Sequence, residues 1–420
     1  MAATAKAQKA QAQGSNNVAI ITMFFIFAMI SFVTNMAAPF GNIWGFRYDW
    51  AGMAGNLMNF TAYLFMGIPA GNMLIKYGYK KTALIALAVG AIGLAIQLTS
   101  GYLGGGESAL FVYLLGALVC GVCVCMLNTV VNPMLNLLGG GGNKGNQLIQ
   151  TGGTLNSLAG TLTPMLVGML VGTLTKETTM AEVAPLVITG IVIFVLAFII
   201  ISFIRIQEPQ ANLSNVKYEH SPLAFRHCRL GVIAIFFYVG IEIGIPGEMN
   251  AWISRMPFEG AAAVAGSLAA LYWLMMLIGR FLSSIISGKV SSRAQMLTVS
   301  SVAIILVLIA IFLPEDITFR SPEIPALHIS SGLVPMKCLF IFLCGLCTSV
   351  MWGGIFMMMV VGGGIMPFIQ DWIARTTGDY VSSYWLIFAM LVYIFFYSFS
   401  GSKNVNTDIP VDEVPDARNL

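Results

Sequence analysis

Charged residues are scarce in this chain of 420 residues, because Asp, Glu, Lys and Arg together make up only 9% of it. Soluble domains carry about 25% charged residues. Hydrophobic residues make up 57% of the sequence, and the mean hydropathy is +0.83. This composition excludes a soluble enzyme and indicates a protein that crosses a membrane several times.

Histidine is also scarce, with 3 residues, and no basic cluster alternates with aromatic residues. The pattern of a nucleic-acid-binding protein is therefore missing. Most of the 7 cysteines lie in apolar segments, where reduced thiols act as packing residues. The Cys-x-x-Cys pair formed by Cys120 and Cys123 has no histidine nearby. We accordingly expect neither a metal site nor a cofactor.

Long apolar segments fill most of the chain, and a helix needs about 20 apolar residues to cross the hydrocarbon core of a bilayer. A polar stretch at 207–229 interrupts them and is interpreted as a cytoplasmic linker. The predicted spans are 18–41, 53–75, 82–100, 109–138, 148–172, 184–205, 230–253, 261–287, 295–313 and 380–400. The predicted domains are a cytoplasmic N-terminus (1–17), an N-terminal six-helix bundle (18–206), a C-terminal helix bundle (230–400) and a polar tail (401–420).

The region 336–375 does not fit this count. It has no charged residue between Lys337 and Asp371, and a single helix of that length would be about 50 Å long. Two helices would leave no room for a loop, although the glycines at 353–354 or 362–364 offer a bend. The sequence leaves eleven and twelve spans both open.

The distribution of basic residues predicts the orientation of the chain. Most of the 21 lysine and arginine residues fall in loops on the same side as the N-terminus. Because positive charge accumulates in cytoplasmic loops, we expect a cytoplasmic N-terminus.

Two local similarities indicate that the halves arose by duplication. Cys120-Gly-Val-Cys123 in the fourth span resembles Cys344-Gly-Leu-Cys347 in the tenth. Glycine and basic residues also close the second and the eighth span. This predicted conformational loop motif comprises Gly71, Lys76, Gly78, Lys80 and Lys81 in the first half, with Gly279 and Arg280 in the second. A plain positive loop with a glycine turn is the alternative.

The loop motif resembles the cytoplasmic signature of the major facilitator superfamily. Asn128-Thr-Val-Val-Asn-Pro133, Thr154-Leu-Asn-Ser157 and Phe237-Tyr-Val-Gly-Ile-Glu242 are similar to its fucose permease-like branch, the fucose-galactose-glucose:proton symporters. Phe32-Val-Thr34 and Gly279-Arg-Phe281 also fit. The resemblance covers nearly the whole chain. It implies an all-α major facilitator fold of two pseudo-symmetric six-helix bundles, with twelve helices, a shortened helix 10–11 region and a sugar site at the midplane.

Four departures from the family pattern affect proton handling and the loops. The first span has Ala38 nearest to the usual aspartate, and the fourth span has Asn128 in place of the usual glutamate. In the loop motif, Ile75 or Lys76 occupies the usual acidic position. The loop between helices ten and eleven is also shortened. The resemblance therefore implies a sugar site without the ordinary proton carriers.

Uncharged amides in apolar spans are candidates for binding a sugar, because amides pair with hydroxyl groups and aromatic rings stack on sugar faces. Interhelical hydrogen bonds are an equally good explanation for any one amide, and packing is the better explanation for any one aromatic residue. The candidate sugar ligands are Asn35, Asn59, Asn128, Asn132, Asn156, Trp273 and Trp352. The absence of lysine and arginine in the middle of the spans favours a neutral polyol over an anion.

Glu242 lies near the middle of the seventh span. An ionisable group there is costly unless it is paired, protonated or hydrated, so we predict a role in cation coupling. A structural carboxyl held by a neighbouring helix is the alternative. Glu248 follows after Pro246 and is expected nearer the outer mouth.

These features predict a secondary active transporter, with no enzyme activity, that imports a hexose or deoxyhexose across the inner membrane by alternating access. The coupling ion is a proton or a sodium ion. The expected partners are the sugar and the lipid bilayer, and the protein is expected to be a monomer that binds no nucleic acid. An amino-sugar or sialic acid transporter, a facilitative uniporter and a non-transporting sensor remain alternatives.

Overall fold

The computed structural model describes residues 2–45, 47–52, 54–140, 142–170, 178–204, 222–327, 329–348, 357–403 and 405. Helices dominate this part of the chain. They are α1 (Ala2–Gly45), α2 (Ala54–Ser100), α3 (Glu107–Leu138), α4 (Gly142–Leu170), α5 (Ala184–Phe203), α6 (Arg226–Ser254), α7 (Ala261–Ile286), α8 (Ser292–Phe312), α9 (Lys337–Cys347), α10 (Gly362–Thr377) and α11 (Tyr384–Phe396). A small antiparallel hairpin, β1 (Thr318–Arg320) with β2 (Leu333–Pro335), lies between α8 and α9.

Helix α2 contains two spans that meet at Gly78. This residue has φ 80° and ψ 175°, a conformation that glycine adopts without a steric penalty. Counting the two parts of α2 separately gives twelve helices in the described residues. Eight helices of the described part are long and apolar enough to cross a membrane when α2 is counted once. The prediction of an all-α protein that crosses the membrane several times is therefore confirmed.

The described residues of the region 336–375, which are 336–348 and 357–375, form two helices, while residues 349–356 lie outside the described part of the chain. Helix α9 has 11 residues and α10 has 16 residues, so both are shorter than an ordinary span of about 20 residues. The glycines at 362–364 begin α10 and allow close packing. A Cβ atom on Gly362 would lie 2.0 Å from the carbonyl oxygen of Phe236, and one on Gly363 would lie 2.9 Å from the ring of Phe60.

Two apolar cores hold the fold together. One consists of buried side chains between Met23 and Ile201, and the other of buried side chains between Ile241 and Ile394. The halves meet where α4 packs on α7 and where α2 packs on α10. The domain boundaries given above stay predictions, and residues 205–221 of the proposed linker lie outside the described residues.

Candidate functional site

A cavity lies between the two halves. Helices α1, α2, α3 and α4 form one wall, and α6 and α7 form much of the other. The cavity has a volume of about 130 Å³, and it lies in a space between the lining side chains of about 890 Å³ that includes the opening. Its polar lining comprises Ser31, Thr34, Asn35, Tyr63, Asn128, Asn132 and Asn156 from the first half, and Tyr238, Glu242, Trp273 and Arg280 from the second.

Most of the residues predicted for the site meet in this cavity. They are Asn35, Asn128, Asn132, Asn156, Trp273 and Glu242. Asn59 does not reach it, because it lines a small separate pocket with Gln97 and Cys120. Trp352 lies outside the described residues. Whether these side chains bind a substrate stays a prediction.

Helix α3 presents two amides to the cavity. Asn128 and Asn132 are four residues apart and so lie on one face of the helix. The Nδ2 of Asn128 donates to the hydroxyl oxygen of Tyr63 at 2.8 Å, and the Nδ2 of Asn132 donates to the carbonyl oxygen of Asn128 at 3.0 Å. The Oδ1 of Asn132 has no hydrogen-bond partner among the described residues. This face therefore offers a buried acceptor for a hydroxyl group.

Helices α1 and α4 each contribute one amide that already has partners. The Nδ2 of Asn35 donates to the carbonyl oxygen of Ser31 at 2.8 Å. The Nδ2 of Asn156 donates to the carbonyl oxygen of Phe27 at 3.0 Å. Both amides are thus oriented by the protein, and any contact with a ligand must use their remaining hydrogen-bonding capacity.

An ion pair lies in the opposite wall. The Nη2 of Arg280 is 2.6 Å from the Oε1 of Glu242, and the two side chains are 1% and 15% exposed. A buried ionised group is costly without such a partner. The carboxylate therefore compensates the burial of the guanidinium, and the pair adds no net charge to the cavity.

The same arginine also reaches the other half of the protein. Its Nη1 donates to the Oγ of Ser157 at 2.7 Å, to the carbonyl oxygen of Gly153 at 3.2 Å and to the Oδ1 of Asn156 at 3.4 Å. All three acceptors belong to α4. Arg280 consequently links α6 and α7 to α4 across the interface between the halves.

The sequence prediction placed Gly279 and Arg280 at a loop, and this placement is wrong. Helix α7 continues to Ile286, and Arg280 lies in the cavity wall. Arg280 thus belongs to the membrane-spanning part of the chain, six residues before the end of α7, and not to the cytoplasmic loop. The missed signal was Glu242 itself, because a carboxylate in the membrane requires a cationic partner or a proton.

The first-half part of the loop motif lies at the break in α2. Lys76 and Lys81 are exposed. The Nζ of Lys80 donates to the carbonyl oxygens of Ser202 and Ile204, each at 2.8 Å. The last carbonyl groups of a helix lack partners within the helix, and a cation there is favourable. Lys80 thus holds the end of α5 against α2, while a role of the motif in conformational change stays a prediction.

Sequence reasoning missed Tyr63 and Tyr238, which line the cavity. Tyr63 holds Asn128, and the hydroxyl of Tyr238 donates to the carbonyl oxygen of Thr348 at 2.7 Å. The hydroxyl of Tyr272 is 2.9 Å from the Oγ1 of Thr348, and its ring meets Trp273 edge to face with centroids 5.7 Å apart. A buried tyrosine hydroxyl needs a polar partner, and that requirement was the available signal.

Comparisons with known proteins cover nearly the full length of the chain, although no family model matches it. The chain is 27% identical over 393 residues to a glucose/galactose transporter of Brucella abortus, covering 91% of this chain and 93% of the relative. A variant of the E. coli fucose:proton symporter FucP has a similar structure, with a TM-score of 0.72, 17% identity and coverage of 93% of this chain and 100% of that one. The proton:xylose symporter XylE has a TM-score of 0.64 at 10% identity, covering 93% of this chain and 95% of that one.

Proposed function

We propose that this protein transports a neutral monosaccharide. The chain has the major facilitator fold and resembles the fucose permease-like branch. The observation that carries this proposal is the cavity between the halves, with amides on one wall and a neutral ion pair on the other. The names of its relatives support the substrate class, since they include a glucose/galactose transporter and a fucose symporter.

The substrate is a hexose or a deoxyhexose. Asn128, Asn132, Asn156 and Asn35 supply amide donors and acceptors for sugar hydroxyls, and Trp273 supplies an aromatic surface. The positive charge of Arg280 is already paired with Glu242. An anionic sugar would find no free counter-charge among the described lining residues, so a neutral sugar fits better than sialic acid.

Transport is coupled to a proton through Glu242. While this carboxylate is ionised, it compensates the buried guanidinium of Arg280. When Glu242 binds a proton, Arg280 keeps only neutral partners among the described residues, three of them on α4 and one, Tyr238, on α6. A buried guanidinium without a counter-ion is costly, so protonation favours an arrangement in which the halves part and water reaches Arg280.

The protein imports its sugar across the inner membrane as a monomer, with its N-terminus in the cytoplasm. Eight apolar helices in the described part of the chain support a multi-pass membrane protein. The excess of lysine and arginine in loops on the N-terminal side supports the orientation. The proton serves as the coupling ion, and no organic cofactor is required.

The test is uptake of labelled glucose, galactose and fucose by proteoliposomes that contain the purified protein. We expect uphill accumulation under an inward proton gradient and its loss when a protonophore is added. Empty liposomes and a sodium gradient at equal pH are the controls. Failure of every neutral sugar to enter, together with competition by sialic acid or an amino sugar, would contradict the substrate class.

A facilitative uniporter is the second candidate, because Asn128 occupies the position of the glutamate in the related family and cannot bind and release a proton. In that case the same proteoliposomes would equilibrate the sugar but never accumulate it under either gradient. The predicted role of Glu242 in coupling would then be wrong, while the sugar site would stand.

A further inference from the structure

Glu248 is a second acidic residue on α6, and it is not part of the cavity wall. It follows Glu242 by six positions, which corresponds to about 9 Å along the helix axis and about 240° around it. Its side chain is buried, with 4% exposure. It interacts electrostatically with Asp371 on α10 and with Tyr384 on α11. Glu248 therefore faces the interior of the second half, away from the cavity between the halves.

Two buried oxygen atoms on this face lack partners. The Oε1 of Glu248 and the Oε1 of Gln370 have no hydrogen bond to any described residue. Gln370 is 1% exposed, and its Nε2 donates to the Oγ of Ser383 at 3.4 Å. Burying a polar atom without a partner costs about 1–3 kcal/mol, so both oxygens need a donor.

Gly244 shows that Gln370 packs against the same face of α6 as Glu248. A Cβ atom on Gly244 would lie 2.5 Å from the Oε1 of Gln370. Residues four apart are neighbours on a helix surface, and Gly244 precedes Glu248 by four positions. The missing side chain of this glycine leaves the space that the amide occupies beside the carboxyl group.

The charged groups around Glu248 have other partners. On α10, the Nε of Arg375 is 2.8 Å from the Oδ2 of Asp371. Arg255, which follows α6, contacts the hydroxyl group of Tyr380, and on α11 the hydroxyl of Tyr384 donates to the carbonyl oxygen of Ile245 at 3.1 Å. No ion pair joins Glu248 to a described cation. An ionised carboxylate here would be buried without a direct counter-ion, which is costly.

We propose that Glu248 is a second proton-binding carboxyl, and that its protonated form donates a hydrogen bond to the Oε1 of Gln370. A single proton then removes the buried charge and satisfies the Gln370 oxygen. A sodium ion fits less well, because Arg255 and Arg375 lie nearby and hard cations require more oxygen ligands than these two. Proton exchange runs past Asp371, whose side chain is 17% exposed, towards the end of α6.

The test is infrared difference spectroscopy, which compares the spectra of purified wild type and variant proteins at neutral pH without sugar. We expect wild type to show the carbonyl-stretch band of a protonated carboxyl group, and Glu248→Gln to lack it. The band persists in Glu315→Gln, the matched removal of an acid that is 56% exposed, and in Glu242→Gln. Because a glutamine amide also donates to Gln370, the melting temperature of Glu248→Gln should stay close to that of wild type.

A second variant keeps the carboxyl group in place. Gln370→Leu removes the acceptor, and we expect the band to move to higher frequency without disappearing. An identical spectrum for wild type and Glu248→Gln, or an unmoved band in Gln370→Leu, would overturn the proposal. So would a large loss of thermal stability in Glu248→Gln, because it would indicate an ionised Glu248 held by arginine.

Sodium is tested in the same samples. If sodium chloride, compared with choline chloride, raises the melting temperature of wild type but not of Glu248→Gln, the site binds sodium and the proton assignment is overturned. None of these measurements uses a sugar. Their outcome is therefore independent of whether the sugar-transport proposal holds.

Discussion

The Nη1 of Arg280 lies 2.7 Å from the Oγ of Ser157, so a side chain of the second half is hydrogen-bonded to a side chain of the first. The other end of the same guanidinium binds Glu242. The strength of the contact between the halves thus depends on the groups that surround one arginine. This relationship gives the first two predictions.

Replacing Ser157 by alanine should shift the protein towards conformations in which α4 and α7 separate. A hydrogen bond to a charged group contributes about 1.5–3 kcal/mol, which corresponds to a shift of roughly ten- to a hundredfold in the equilibrium constant. The shift can be measured as the distance between spin labels at Lys144→Cys and Lys289→Cys, near the ends of these helices. The matched control is Thr161→Val, since the hydroxyl of Thr161 donates to the carbonyl oxygen of Ser157 on its own helix and has no other partner among the described residues. An unchanged distance distribution in Ser157→Ala would contradict the linking role of Arg280.

Glu242→Gln should separate sugar binding from coupling. The amide can accept a hydrogen bond from Arg280 but cannot bind and release a proton. We expect exchange of labelled for unlabelled sugar to continue, while accumulation driven by a proton gradient falls to the level of equilibration. The control is Glu315→Gln, which removes an exposed acid of the same half. Accumulation by Glu242→Gln equal to that of wild type would place coupling elsewhere.

Two asparagines of the first half should behave differently when each is replaced by alanine. Asn128 lines the cavity, so its loss should raise the Kd of the sugar about fivefold, as expected for a hydrogen bond of ~1 kcal/mol. Asn59 lies outside the cavity and is 4% exposed, so its loss should change the melting temperature and leave the Kd unaltered. Titration calorimetry and thermal unfolding of both variants distinguish the two roles. The opposite pattern would remove Asn128 from the sugar site.

Two glycines of the loop motif should also differ in how their replacement by alanine changes the melting temperature. Gly78 has a positive φ of 80°, and a side chain in such a conformation costs about 1–3 kcal/mol. Gly78→Ala should therefore lower the melting temperature. Gly71 is helical, and nothing lies within 4 Å of a Cβ atom built there. Gly71→Ala should keep or raise the melting temperature, because alanine favours the helix by up to about 1 kcal/mol. Equal losses in both variants would indicate that the steric argument fails.

The order of the helices could be predicted because apolar length alone identifies a span. Gly78 and its lysines marked the turn within α2, although the chain makes it with a single non-helical residue. Whether α9 and α10 are one helix or two could not be predicted from the sequence. The glycines that suggest a bend have another use in the structure, because Gly362 packs closely against α6. Apolar composition does not distinguish these two uses of glycine.

The amides of the site were predictable as a group but not individually. Asn128 and Asn132 share a helix face by spacing alone, whereas the exclusion of Asn59 depends on the rotation of α2 against its neighbours. Arg280 was misplaced because it lies only six residues before the end of an apolar helix, where a basic residue usually marks the membrane surface. Its partner on α6 is distant in sequence, so only the packing of α6 on α7 identifies the pair.

The two walls of the cavity differ in chemistry, since the uncharged amides come from the first half and the ion pair comes from the second. Apart from those at Trp273, we therefore expect substitutions that alter which sugar is accepted in the first half, and substitutions that alter coupling in the second. Sugar specificity and coupling can thus change independently of each other during evolution. Exchanging the first six spans between relatives should therefore change which sugar is transported and leave the coupling to the ion gradient unchanged.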